Sequence, residues 1–151
     1  MAGAHHAAFA TTTLMPAADS RALAIRRRVI SAARSVYKEL GWGWREDVYR
    51  EALAAELAPL QAVCEICQPV VYKKKALPHV SVRWDMLVED TVLVELKAVR
   101  SKLSQSAIRQ AQRYNASGRY LTLAINFPDR PNAAVELLVS SRSQNLNGDK
   151  E

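Results

Sequence analysis

The chain has 151 residues, 49% hydrophobic and 24% charged, with a formal net charge of +6. That length suits one domain around one core, and no apolar run approaches the ~20 residues a membrane span needs. Two cysteines, Cys64 and Cys67, are too few for a disulfide framework and point to a reducing compartment, so the expected location is intracellular and cytoplasmic by default.

Residues 1–19 are rich in Ala, Thr and His without periodicity, which predicts a disordered leader. Their lack of acids before Asp19 also suits an organelle-targeting segment, although Arg is absent until Arg21. Residues 20–40 predict a helix, because Val29, Ile30, Ala33, Val36, Tyr37 and Leu40 recur at spacings of three and four. Ser20 is placed to cap it and Gly41 to end it. Trp42 and Trp44 fall in a short loop, read as a hydrophobic closure over the helix junction, with stacking on bases as the other reading. A second helix is expected over 45–57, with Val48, Tyr49, Ala52 and Leu53 inward and Pro59 as its stop.

From Val63 the period changes to that of strands. Residues 63–72 predict a strand with Pro69 at an edge or bulge, followed by a basic connection that includes Pro78. Residues 80–88 and 91–98 are β-rich runs separated by Glu89 and Asp90, a hairpin signal. Residues 104–116 predict a helix, 120–127 and 133–139 two further strands, and 141–151 a polar tail. The order is ααβββαββ in a single domain over 20–140, and helices flanking a central mixed sheet are its simplest packing.

Cys64 and Cys67 have CxxC spacing, but on a strand residues i and i+3 point to opposite faces. No second CxxC completes a zinc site, and both are expected as ordinary half-buried thiols. The positive charge is local, in Arg26–Arg28, Lys73–Lys75, Arg100 with Lys102, and Arg109, Arg113 and Arg119. Such a surface suits nucleic acid, although a solvated basic face has the same composition.

The hairpin carries chemistry. With a turn over residues 89–91, Val88 pairs with Val92 and Asp85 falls opposite Glu95; a two-residue turn would set Asp85 opposite Val94. Glu95 and Lys97 share a face in either case. Two facing carboxylates repel unless one takes a proton or a cation sits between them, and Mg²⁺ takes one or two carboxylates plus waters. Lys97 would then orient or deprotonate a water or neutralise developing charge. The competing reading is an ion-pair ladder, Arg83 with Asp85 and Lys97 with Glu95, on a solvated sheet face.

Asp85 followed by Glu95-Leu96-Lys97 after a short apolar strand resembles the core of the PD-(D/E)XK nuclease superfamily. Gly43-Trp44-Arg45-Glu46-Asp47-Val48-Tyr49 resembles the namesake motif of its GxxExxY family. Val71-Tyr72-Lys73, Arg83 to Val88, Val94 to Val99 and Ile125-Asn126-Phe127 are similar in turn and in order, over roughly residues 26–128. The resemblance implies a restriction-endonuclease-like fold and Mg²⁺ or Mn²⁺ held by Asp85, Glu95 and the Leu96 backbone carbonyl. It implies Lys97 as the catalytic lysine and Glu46 as an extra ligand or water-orienting acid. Gln110 and Tyr114 resemble a QxxxY pair, while a gap-free alignment back from Asn126 puts Arg109 in the glutamine's place. Lys73, Lys74, Lys75, Arg83, Arg100 and Tyr114 are the candidates for nucleic-acid contact. Tyr49, Gly43 and Asn126 are expected to be architectural. The chain departs from the family at Trp84, Lys74, Ala107 or Ser106, and Pro128.

The function so implied is metal-dependent hydrolysis of phosphodiester bonds in nucleic acid, DNA before RNA, with a homodimer as one arrangement for cutting two strands. The alternative is a catalytically silent nucleic-acid-binding or protein-interaction module on the same fold. The joint presence of Glu46, Asp85, Glu95 and Lys97 favours the enzyme.

Overall fold

A computed structural model describes residues 17–115 and 118–140, without the side chains of residues 17–19 and Tyr114. The expected disordered leader, apart from residues 17–19, and the polar tail lie outside the described residues. Those described form eight elements in the order ααβββαββ.

Helix α1 (Ala17–Leu40) buries Ala22, Ile25, Val29, Ala33 and Val36, a single stripe at helical spacing. The helix already runs at Ser20, which is therefore an interior residue and not the cap. Gly41 ends it: its N–H donates to the Tyr37 carbonyl at 2.9 Å and its φ of 72° lies in the left-handed region that glycine enters without strain. Helix α2 (Glu46–Glu56) buries Tyr49, Arg50 and Leu53.

Strands β1 (Ala62–Tyr72) and β2 (Lys75–Val88) form an antiparallel hairpin. The basic connection, expected to include Pro78, is only Lys73 and Lys74, both left-handed with φ of 47° and 63°. Pro78 lies inside β2. It is accommodated because Pro69 pairs with Ser81 and Val71 with Ala76, so residues 77–80 bulge opposite Val70 alone, where a missing N–H disturbs no pairing.

Strand β3 (Val92–Lys97) runs antiparallel to β2 through the pairs Val88–Val92, Leu87–Leu93 and Met86–Val94. The turn is thus the three-residue one, with Glu89 and Asp90 left-handed. Helix α3 (Gln105–Tyr114) crosses to β4 (Leu121–Asn126), which pairs parallel to β3, and β5 (Glu136–Ser140) returns antiparallel to β4. The sheet order is β1-β2-β3-β4-β5.

Helices lie on both faces. Val92, Val94 and Leu96 join the core formed by α1 and α2, with Met86, Leu123, Ile125 and Phe127. Ala107 and Ile108 of α3 pack on Ala124 from the other side. Because strand side chains alternate, Leu93, Glu95 and Lys97 project toward the α3 face. Tyr49 locks α2 to the end of the sheet. Its ring stacks on Phe127 at 4.4 Å, and its hydroxyl donates to the Gly41 carbonyl at 2.7 Å.

Candidate active site

The site lies where β2 and β3 part. Val92, Leu93 and Val94 bury β3 between the helices, and Glu95 continues that run at 4% exposure. Carrying the β2–β3 register one pair past Met86–Val94 sets Asp85 opposite Glu95. Asp85 Oδ2 accepts the Leu96 N–H at 2.7 Å, so a side chain takes the next position along the ladder. A strand residue's N–H and C=O point to one side, which directs the Leu96 carbonyl toward Asp85 as well. Lys97 Nζ donates to Glu95 Oε1 at 2.6 Å.

The electrostatics tie four groups together. Burial pushes the Glu95 pKa up to about 7, with the charges of Asp85 and Glu46 adding to the rise and the Lys97 hydrogen bond opposing it. Burial, then Asp85, raises that of Glu46, against the pull of Lys97, Arg50 and Arg83. Burial works to lower Lys97, but the hydrogen bond and charge of Glu95, with Glu46 and Asp85, outweigh it and hold the ammonium above its usual range. Glu46, the first residue of α2, therefore reaches the same cluster from a separate element.

Among the described residues, no three His, Cys, Asp or Glu side chains are gathered closely enough to hold a metal between them. Two facing carboxylates, one of them driven toward its protonated form, fit a cation that takes one or two carboxylates and keeps several waters. Mg²⁺ and Mn²⁺ suit such an all-oxygen donor set, and zinc does not find its usual nitrogen or sulfur ligands here.

A groove of about 470 Å³ opens from Lys97 toward α3, lined among others by Ser101, Lys102, Gln110 and Arg113. Gln110 faces this groove while Arg109 is exposed, so the helix register brings the glutamine toward the site. The Tyr114 side chain lies outside the described residues. Arg100 is exposed just beyond β3. Lys73, Lys74 and Lys75 sit at the far end of the β1–β2 hairpin, away from the carboxylates.

Other expectations change in detail. Lys97 does pair with Glu95, but Arg83 pairs with Glu65 at 3.3 Å and not with Asp85. Trp42 and Trp44 lie outside the buried core: they are 53% and 49% exposed, with Trp44 Nε1 donating to the Leu40 carbonyl at 3.0 Å. The short Gly41–Gly43 loop leaves them outside the packing of α1 on α2. Cys67 is exposed rather than half-buried, Cys64 is half-buried as expected, and both are free thiols. Asn126 is architectural as expected. Its Oδ1 accepts the Val99 N–H, and its Nδ2 donates to the Val99 and Ser101 carbonyls and to Glu136.

Sequence reasoning missed Arg50, a buried cation that reaches Glu65 at 3.3 Å and acts on Glu46. Its signal was present: Arg50 stands four residues after Glu46 on one helix, hence on the same face.

A family model described as the PD-(D/E)XK nuclease superfamily matches residues 24–137. No curated protein and no solved structure matches the chain.

Proposed function

The chain belongs to the PD-(D/E)XK nuclease superfamily, and from that premise we propose that it is a divalent-metal-dependent nuclease acting on DNA in preference to RNA. Its mixed five-stranded sheet flanked by helices is consistent with the restriction-endonuclease-like fold of that superfamily. Within it we place the chain in the GxxExxY family. Three residues of that motif support the placement: Gly43 has a φ of 95°, Glu46 joins the carboxylate cluster, and Tyr49 is buried in the stack with Phe127.

One observation carries the catalytic reading: Asp85 accepts the Leu96 N–H between Glu95 and Lys97, which sets its carboxylate beside that of Glu95, and Lys97 is bonded to Glu95. Asp85, Glu95 and the Leu96 carbonyl would hold Mg²⁺ or Mn²⁺, which supplies charge stabilisation at the phosphate and acidifies water. Glu46, which acts on the cluster from α2, would orient the attacking water rather than add a third carboxylate ligand. Water adds to phosphorus, the bond to one ester oxygen breaks, and that oxygen leaves with a proton. Lys97 is held in its charged form, so its first role is to neutralise negative charge growing on the phosphate. Gln110 steadies the strand from the groove.

The test is cleavage of plasmid DNA, linear DNA and RNA with Mg²⁺, Mn²⁺ or EDTA, beside Asp85→Asn and Lys97→Ala. Metal-dependent cuts that vanish in both variants support the reading. A folded protein that binds DNA but cuts nothing under any of these conditions overturns it in favour of the silent binding module.

A further inference from the structure

β2 is bonded to β3 only over Met86–Val88, yet its ladder with β1 continues out to Tyr72–Lys75. Beyond the Ile66–Trp84 pair, the two strands therefore stand out as a ribbon without a third partner among the described residues. β2 runs antiparallel to β3, so this ribbon leaves the sheet at the end that carries Glu95 and Lys97. Three of its apolar side chains stay largely in water, Val71 at 63% exposure, Tyr72 at 61% and Val80 at 51%, while Ile66, Val70, Leu77 and Val82 are half-buried.

Its charge has one sign. Residues 66–84 contain Lys73, Lys74, Lys75 and Arg83 and no Asp or Glu. The tip is made by Lys73 and Lys74 in left-handed backbone, a turn that Asn-Gly makes without strain. Strained backbone held by two cations at an exposed tip suggests that charge there matters more than ease of turning.

We infer that the β1–β2 ribbon is a duplex-gripping arm, which lies along the major groove of B-form DNA and sets Lys73, Lys74 and Lys75 against phosphates about eight base pairs from the bond that is cut. The inference rests on the nuclease reading for the position of that bond. The span from Glu65, level with Asp85, to Lys73 is eight residues, or about 26 Å at ~3.3 Å per strand residue. At ~3.4 Å per base pair this is about eight steps. A two-stranded ribbon fits the B-DNA major groove, whereas the deep, narrow major groove of A-form RNA does not admit it. The substrate class is thus duplex DNA that continues for most of a helical turn to one side of the cut.

The test is equilibrium binding of the full chain in EDTA, followed by fluorescence anisotropy across a salt series. The probes are DNA duplexes of about 20 and about 8 base pairs and a double-stranded RNA of the longer length. Wild type is compared with Lys73→Asn/Lys74→Gly/Lys75→Thr, which discharges the tip while easing its turn, so misfolding is not the confounding outcome. The expected result is a 10- to 100-fold loss of affinity for the long DNA duplex. The slope of log K against log salt should fall by about 2–3, since each phosphate contact contributes ~0.9. The short duplex and the RNA should bind the two proteins alike. An unchanged slope on long DNA overturns the arm, as does an equal loss on RNA. So does a change in self-association by sedimentation with DNA binding intact, which would make the ribbon a contact between copies. Because no metal or cleavage enters the readout, the arm and the nuclease reading fail separately. Metal-dependent cutting with an unchanged slope removes only the arm, and a changed slope without cutting removes only the nuclease.

Discussion

Asp85 Oδ2 lies 2.7 Å from the backbone nitrogen of Leu96, so the residue that faces Glu95 also ties β2 to β3. Function and strand pairing can be separated there. Asp85→Asn keeps an acceptor for the Leu96 N–H and is expected to melt within a few degrees of wild type while losing at least 100-fold in cleavage. Asp85→Ala leaves that buried N–H without its partner, at about 1–3 kcal/mol. Urea denaturation beside a cleavage assay distinguishes the two. An active Asn variant would remove Asp85 from the chemistry.

Lys97→Ala is expected to slow cleavage by roughly 10²–10⁴-fold, the usual range for a group acting on protons or charge in the transition state. Lys97→Arg should recover little, because a planar guanidinium cannot replace a compact ammonium at 2.6 Å from Glu95. Single-turnover rates at saturating DNA are the measurement, and full rescue by arginine would reduce Lys97 to a generic positive charge.

Glu95 makes the metal-free protein sensitive to pH in a defined direction. Its folded pKa is raised from the usual 4.5 to about 7, so between those values the folded state holds more protons than the unfolded one. Stability therefore falls as pH rises through that window, by up to about 3 kcal/mol on a single-site basis. Urea midpoints at pH 5, 6, 7 and 8 in EDTA should show the decline, and Glu95→Gln should flatten it. A wild-type profile that rises over this range would contradict the charge balance described for the site.

Tyr49 contributes to stability and not to chemistry. Tyr49→Phe loses the hydrogen bond to the Gly41 carbonyl and is expected to cost about 1 kcal/mol. Tyr49→Ala also empties the stack on Phe127 and should cost about 3–5 kcal/mol. Cleavage per folded molecule should be unchanged in the Phe variant, as active-site titration against the folded fraction would establish.

Much of the fold was legible in the sequence because its signals are local. The period of three and four in α1, the apolar runs of β3 and β4, and the Glu89-Asp90 break predicted elements to within a few residues. The facing of Asp85 and Glu95 was one of two registers the sequence left open, and the three-residue turn of the structure selects it. What the sequence did not show depends on distant partners. Pro78 reads as a loop residue until the four-against-one bulge opposite Val70 is known. Lys73-Lys74 carries no glycine or asparagine to announce a tight turn. Arg83 and Arg50 both find Glu65, an acid on a strand paired only through the fold. Asn126, buried on a β4 that reads as simply apolar, is matched to Val99, Ser101 and Glu136 by contacts that local patterning does not record.

The irregularities of β1 have a consequence for the protein at high concentration. β1 is an edge strand of 11 residues that exposes Val63, Val71 and Tyr72, and an exposed apolar edge invites another chain to add a strand. Glu65 breaks that edge with a φ of 53°, and Pro69 offers no N–H. Only Ile66, Cys67 and Gln68 lie uninterrupted between them, less than the six or seven residues from which fibril-forming segments are built. The kinked glutamate and the proline thus act as guards against edge-to-edge polymerisation, and replacing both with valine would be the shortest route to an aggregating form of this molecule.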